Sequence, residues 1–451
     1  MIIQVNMPYS FVATSQEDST RGLNQLKKQL TATIVRFNPQ GGASTDKVCL
    51  LEEDPRPGVY RVRTGLLPRI REMAPLCGLH VAGETDDRWR ISKTFRPQVI
   101  EVPLRDYQER LVSAVLKHDM GVMCAATGAG KTWMAAAIIA RRNVPTIYLV
   151  HTLDLLEQTQ AQLHDLLKVR IGIWGGGHKD LQPVTVGMVQ TLVEGKEVDA
   201  KMFGQVIVDE VHHLAANTFY EVTEKFLAPI VVGLSATPYR QDKADLMIEA
   251  GGGPITARIS VSELIDAGYL ARPHILFHPV QTQTGYDKLP TWMVYRRYIV
   301  ENEPRNQMIA NLAKQGLEEG KTVLIYVRQT KHAERIVKHL GAVDYVVLDG
   351  KDDADRRREV FGKLKSGVMR LVVSTLVREG VDIPKLDVII NAAGGADTMQ
   401  IVGRALRKSG DKKYATVHDF VDHAHITLLR SSYARIERLR QEPAFRIIAE
   451  V

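Results

Sequence analysis

From about Val102 onward, short apolar runs alternate with longer amphipathic stretches, the pattern of strands and helices in a mostly parallel sheet. The runs at 121–126, 146–150, 184–189, 205–208 and 230–234 read as strands. A second alternating series begins at Lys321, with strands expected at 322–327, 345–348, 370–373 and 388–391. Between the two series, Pro273, Pro279, Pro290 and Pro304 interrupt the pattern and predict a connector with short helical pieces. Residues 1–95 differ again. Turn-rich segments around Pro39-Gln40-Gly41-Gly42 and Pro55-Arg56-Pro57-Gly58 separate short β-like runs there. The expected architecture is α/β: a small β-rich N-terminal domain (1–95), a first lobe (96–270), a connector (271–320), and a second lobe ending in helices (321–451). Neither a repeat of solenoid length nor an extended low-complexity tract is present.

A chain of 451 residues with 45% hydrophobic content can give each of these units its own core. No apolar run approaches the roughly 20 residues that span a bilayer. The first ten residues lack the basic and apolar regions of a secretory signal, so a cytoplasmic protein is expected. Cys49, Cys77 and Cys124 form no Cys-x-x-Cys pair, which argues against a disulfide framework and a thiolate zinc site. Lys plus Arg exceeds Asp plus Glu by 59 to 52, a net +7 that suits a polyanionic partner such as nucleic acid without requiring one.

The segment Ala126-Thr127-Gly128-Ala129-Gly130-Lys131-Thr132 follows an expected strand and opens the helical run 133–142, the context of a phosphate-binding loop. Small residues let backbone N–H groups approach phosphate oxygens, and the helix N-terminus adds positive potential. Lys131 would neutralise the β and γ phosphates, and the Thr132 hydroxyl would hold Mg²⁺. Ala125 stands where the general pattern has its first glycine. Downstream, Val206-Ile207-Val208 delivers Asp209-Glu210-Val211-His212 to the ligand-binding edge of an open sheet. There Asp209 can hold Mg²⁺ and Glu210 can orient and deprotonate a water. In isolation the two would as often be solvated turn carboxylates. His212 and His213 have no second ligand cluster, so zinc is not expected.

With these residues the chain resembles a superfamily 2 helicase, in motif order over roughly 104–420. The resemblance implies two tandem RecA-like lobes that clamp ATP. Leu104-Arg105-Asp106-Tyr107-Gln108 resembles the adenine-recognition element, in which Gln108 would read the base edge beside Arg105. His151-Thr152 and Gln190-Thr191 resemble first-lobe segments that hold the nucleic-acid backbone, and Ser235-Ala236-Thr237 the motif that couples hydrolysis to lobe movement. Ser374-Thr375, with Gly380 and Asp382, resembles the second-lobe motif touching backbone and nucleotide. The run from Gln400 through Arg404 and Arg407 resembles the arginine-finger motif. Alone, Ser235-Ala236-Thr237 would be an ordinary turn, and Arg404 with Arg407 a solvated helix edge.

Asp-Glu-Val-His, Ala-Thr-Pro-Tyr-Arg and Ile265-Asp266-Ala267-Gly268-Tyr269-Leu270 together resemble bacteriophage branch-migration helicases and their repair-helicase relatives. This implies an enzyme that unwinds or migrates forked and four-way DNA in recombination, repair or replication, in the host cytoplasm if phage-encoded. A duplex translocase without strand separation, an RNA helicase and a nucleotide-gated binding module are the alternatives. Outside the motor motifs, Arg56, Arg61, Arg63, Arg69 and Arg71 lie close together in the N-terminal domain. Turns could bring several of them, Arg61 and Arg63 above all, onto one face that grips a second DNA arm. The plainer reading is a solvated basic surface.

Overall fold

The apolar runs form the strands that their β-branched composition favours, covered on both faces. The computed structural model describes residues 1–451 other than 15–17, 19, 38–42, 89–100, 195–197, 200, 212–215, 237–244, 281–288, 377–385, 395–400, 404, 405, 407–412, 450 and 451, and gives only the backbone of 33–37, 43, 44, 216, 217, 220, 354 and 365. It divides into two units, Met1–Ile259 and Ser260–Val451.

Among the described residues, the first unit holds an eight-stranded sheet in the order His178–Asp180, Gly172–Gly175, Val184–Met188, Thr146–Val150, Gln205–Val208, Ile230–Ser235, Met120–Ala125, Ile255–Ile259. Neighbours run parallel except in the edge hairpin Gly172–Gly175/His178–Asp180. Thr146–Val150, Gln205–Val208 and Ile230–Ser235 are buried at every position. These three central strands therefore fix where their carboxyl ends emerge.

The second unit holds a seven-stranded sheet among the described residues, ordered Val346–Leu348, Leu371–Ser374, Val323–Tyr326, Val388–Asn391, Tyr414–Asp422, Arg272–Val280, Arg446–Ala449, with every neighbouring pair parallel. Both sheets are RecA-like α/β lobes. Arg272–Val280, in the stretch that the proline pattern assigns to a connector, is an internal strand of this second sheet. The prolines are tolerated for a positional reason. Among the described residues only His274 to Phe277 pair on both sides, and Pro273 and Pro279 flank that core, where a missing N–H breaks no inner ladder.

Within the first unit, the N-terminal residues form a five-stranded sheet ordered Leu51–Glu53, Val59–Arg63, Tyr9–Ala13, Ile2–Val5, Gly83–Asp86, beside the hairpin Thr31–Phe37/Ala43–Cys49. The helices Thr20–Gln29 and Leu67–Leu76 supply Leu26, Leu67, Ile70 and Ala74 to its core. That core is not closed by its own residues. Met247 and Ala250, from the helix Asp245–Gly252 of the first lobe, complete it. The turn Thr64–Leu66 approaches this helix so closely that a Cβ on Gly65 would lie 2.2 Å from the Glu249 carbonyl oxygen and 2.6 Å from that of Ala250. Arg69 donates from Nε and Nη2 to the Glu249 carboxylate, and the Tyr9 hydroxyl donates to Glu224 at 2.6 Å.

This docking changes the reading of the arginine cluster. Arg63 is 2% exposed, and its Nη2 donates to the Thr223 hydroxyl at 2.7 Å, so it fastens the domain to the lobe and is not available to DNA. Arg69 is spent in the same contact, and Arg71 is paired with Glu84. Arg61 remains a surface side chain, paired with Glu52 and lying 4.6 Å from the Tyr9 ring. Arg56 pairs with Asp54 and lies 4.6 Å from the Phe11 ring. Arg61 and Arg63 share one face of the sheet, 4.6 and 5.2 Å from the same Tyr9 ring, but only Arg61 is exposed, because the strand Val59–Arg63 runs from the surface into the joint.

Gly65→Ala would press a methyl group on the helix backbone. It should cost about 1–3 kcal/mol in urea unfolding, and a midpoint equal to that of the unmodified protein would show that the joint is not packed as described.

Candidate ATP site

The strand Met120–Ala125 ends at the glycine-rich loop, and the helix Lys131–Arg142 begins directly after it. Gly128 and Gly130 take φ of +88° and +77°, a conformation that residues with a Cβ rarely adopt. At Gly130 a Cβ would also meet the Gln108 amide nitrogen at 2.6 Å. Gln108 is buried and braces the loop. Its Nε2 donates to the Ala129 carbonyl at 2.9 Å, and its Oε1 accepts from the Arg105 N–H at 2.9 Å. The Tyr107 hydroxyl donates to the same Ala129 carbonyl at 2.9 Å. Both residues thus hold the loop from the first turn of the helix Asp106–Leu116. The amide expected at a base edge is engaged with the phosphate loop itself.

Opposite the loop, Gln205–Val208 leaves the sheet at Asp209, and Glu210 turns the chain at φ +47°. A non-glycine residue there stores backbone strain of order 1–3 kcal/mol. Lys131 Nζ lies 3.0 Å from Glu210 Oε1. Asp209 accepts from the Tyr148 hydroxyl at Oδ2 and from the Glu210 N–H at Oδ1, both at 2.9 Å. Burial, and then the charge of Glu210, push the Asp209 carboxyl up to about 6 against the opposing pull of Lys131. Tyr148 is wholly buried; that burial, followed by the Asp209 charge, holds its phenol well above the ordinary tyrosine value. Hydroxyl and carboxylate oxygens are hard donors that fit Mg²⁺. Among the described residues no group of three or more His, Cys, Asp or Glu gathers around a metal position, so Thr132 and Asp209 would share the ion with phosphate oxygens.

Other candidates emerge along the same sheet edge. His151 and Thr152 follow Thr146–Val150, and Gln190 and Thr191 follow the neighbouring Val184–Met188. The Gln190 amide donates to the His151 carbonyl at 2.7 Å, joining the two segments. Thr152 also caps the helix Leu153–Leu167, while Thr191 is buried. Ser235 is buried at the end of its strand, opposite Cys124.

In the second unit, Ser374 ends a strand and accepts from the Leu376 N–H at 3.0 Å, and the Thr375 N–H donates to the Leu348 carbonyl. Two fully buried arginines brace the chain after Val388–Asn391. Arg305 bridges Asp422 and the Ala392 carbonyl, and Arg435 bridges Asp419 and the Gly394 carbonyl. Thr237, Gly380, Asp382, Gln400, Arg404, Arg407, His212 and His213 lie outside the described residues. Sequence reasoning missed Tyr107 and Tyr148. The available signal at 148 was one aromatic hydroxyl inside an otherwise aliphatic run.

Residues 101–240 match the family model described as type III restriction enzyme, res subunit, and residues 305–409 match the helicase conserved C-terminal domain. The chain is 31% identical over 352 residues to the DNA 3′-5′ translocase XPB2 of Sulfurisphaera tokodaii, covering 68% of this chain and 79% of that protein. Two further relatives are matched over 52% and 64% of their own length. The probable helicase D10 of Escherichia phage T5 is 25% identical over 268 residues, 58% of each protein, which is a family relationship and no closer. A solved structure of Saccharomyces cerevisiae Dbp5 bound to RNA and ADP BeF3 aligns with a TM-score of 0.56 at 17% identity, over 76% of this chain and 89% of that one, a likeness of fold. The chain belongs to the superfamily 2 helicases, in the group of DNA helicases and translocases, and is an ATP-dependent enzyme. No helix among the described residues is long and apolar enough to cross a membrane.

The raised Asp209 pKa links this site to stability. Between the ordinary 3.8 and about 6, the folded chain keeps a proton that the unfolded chain has released. This group therefore favours folding at the acid end of that window, and the contribution is lost as pH rises through 6. Asp209→Asn removes the charge, so at pH 8 the nucleotide-free variant should be more stable in urea, by up to about 3 kcal/mol, with the advantage gone near pH 3.8. A variant less stable than the unmodified protein at pH 8 would contradict this.

Proposed function

We propose that this enzyme is a DNA-dependent ATPase that unwinds or branch-migrates forked and four-way DNA, working with Mg²⁺ in the cytoplasm, of a host cell if phage-encoded. The observation that carries the reading is the convergence of Lys131, Thr132, Asp209 and Glu210 on the sheet edge that also presents His151–Thr152 and Gln190–Thr191. Nucleotide and strand contacts then share one rigid support, so a change at the phosphate is felt at the DNA backbone.

In this reading the loop N–H groups from Thr127 through Lys131 hold phosphate oxygens, and Lys131 neutralises the β and γ groups. Glu210, already paired with Lys131, accepts the proton of the attacking water. Thr132 and Asp209 would hold Mg²⁺, which when bound would offset phosphate charge. Gln108, tied to Ala129, carries base recognition near Arg105 to the phosphate loop. Ser235 and Thr237 couple hydrolysis to movement. From the second lobe, Gly380, Asp382 and Gln400 reach the nucleotide, and Arg404 and Arg407 steady the transferring phosphate after closure. Ser374 and Thr375 hold the DNA backbone.

Support for branched DNA comes from the resemblance to branch-migration and repair helicases. With Arg63 committed to the joint, the second-arm contact falls to Arg61 and Arg56 beside Tyr9 and Phe11. Removing the whole domain would uncover Met247 and Ala250, so substitutions test it better than truncation. A duplex translocase that does not separate strands is the second reading, favoured by the name of the S. tokodaii relative.

ATPase stimulation and strand displacement on single-stranded, duplex, forked and four-way DNA and on RNA, at matched salt, separate these readings. Strongest stimulation and strand displacement on branched DNA are expected; stimulation by duplex without displacement would select the translocase. Lys131→Ala should abolish turnover, whereas Glu210→Gln should bind ATP and DNA but not hydrolyse. Equal loss of ATP binding in the glutamine variant would remove Glu210 from its role. The Arg56→Ala, Arg61→Ala double variant should keep single-strand-stimulated turnover and lose junction preference; unchanged preference would move the branch contact out of this domain.

A further inference from the structure

The mechanism above leaves one buried polar group at the site without a task. Tyr148 lies in the middle of Thr146–Val150, between Val186 and Ile207 in the register of the sheet, and is completely buried. An aliphatic residue would fill such a position without needing a partner for a hydroxyl. The phenol has one proton and two lone pairs. An ionised carboxylate only accepts, so the 2.9 Å bond to Asp209 Oδ2 takes the phenolic proton. The single phenolic proton is thereby committed to the carboxylate.

We infer that Tyr148 is a positioning residue for the divalent cation, orienting the Asp209 carboxylate through its phenolic hydroxyl. The inference rests on the ATP-site reading above. A metal ligand must offer lone pairs in a set direction. Asp209 is fixed at both oxygens, Oδ2 by Tyr148 and Oδ1 by the Glu210 N–H, leaving each with remaining acceptor capacity in a set direction. Asp209 lies past the strand Gln205–Val208, and Tyr148 grips it from the neighbouring strand, so the direction of the carboxylate is held by the register of the sheet. Partners that orient metal ligands in this way commonly account for 10- to 100-fold in metal affinity.

Tyr148→Phe keeps the ring and removes the oxygen. The Mg²⁺ concentration for half-maximal DNA-stimulated ATPase should rise about 10-fold or more, with turnover at saturating Mg²⁺ within about twofold of the unmodified protein, as expected when only orientation is lost. A second readout needs no turnover. Binding of a fluorescent ADP analogue should be unchanged in EDTA, while the gain in affinity on adding Mg²⁺ shrinks by the same factor as the ATPase midpoint shifts. Tyr148→Leu, which removes the hydroxyl by a different packing change, should share the Mg²⁺ defect and guards against a folding failure of the first variant. A folded Tyr148→Phe protein with an unchanged Mg²⁺ midpoint and an unchanged Mg²⁺-dependent gain overturns the assignment, as does equal weakening of nucleotide binding in EDTA and in Mg²⁺. Lys131→Ala, measured alongside, keeps the failures apart: if it still hydrolyses ATP the site itself is misassigned, whereas its inactivity beside an unaffected Tyr148→Phe rejects only the role of Tyr148.

Discussion

A strand buried on both faces delivers two adjacent carboxylates to the edge of the first-lobe sheet, and much of the surrounding structure compensates for that charge. Asp209 is 7% exposed and next to a second negative group, a placement that disfavours its ionised form. Lys131 offsets part of the repulsion, as do the Tyr148 phenol and the Glu210 N–H. Each partner requires something further. Lys131 must start a helix after a left-handed glycine, Tyr148 must hold its register with Ile207, and Glu210 must accept a positive φ. Sliding the central strand by one residue would turn Tyr148 to the opposite face and leave the carboxylate without its donor. The catalytic arrangement and the sheet register are one constraint.

The same edge shows how such an enzyme combines rigidity with responsiveness. Residues that would touch the strand, His151 and Gln190, are joined by a backbone-directed hydrogen bond, and residues that would touch phosphate are braced by Gln108 and Tyr107. In the second lobe, Arg305 and Arg435 pin the carbonyls of Ala392 and Gly394 with fully buried charges. Buried ion pairs seldom add much net stability over an apolar core. They do impose a single geometry on the chain as it leaves Val388–Asn391, which orders the approach to the segment bearing Gln400.

Contiguity decided what was legible in the sequence. The parallel core strands were placed within a residue of their observed ends, because burial on both faces leaves uninterrupted β-branched runs such as Val206-Ile207-Val208. The phosphate loop and Asp209-Glu210 were legible for a similar reason: their chemistry resides in consecutive residues. Arg272–Val280, Tyr414–Asp422 and Arg446–Ala449 were not placed, since prolines or alternating polar positions mask them until their pairing is known. The brace of Gln108 on Ala129 and the hold of Tyr148 on Asp209 depend on contacts distant in sequence, which no local pattern records. Arg63 was misread as surface charge because composition is blind to the joint that encloses it.

That joint has a consequence for synthesis. The N-terminal sheet and its two helices leave the ribosome ahead of the first lobe, yet their core beside the turn Thr64–Leu66 is completed by Met247 and Ala250. At translation rates of about 5–20 residues per second the delay is on the order of ten seconds or more, during which the nascent domain carries an uncovered greasy face. The leading segment of this chain is therefore a natural client for a chaperone that waits at the exit tunnel. Its maturation is timed by the arrival of a helix that follows it by most of the first lobe.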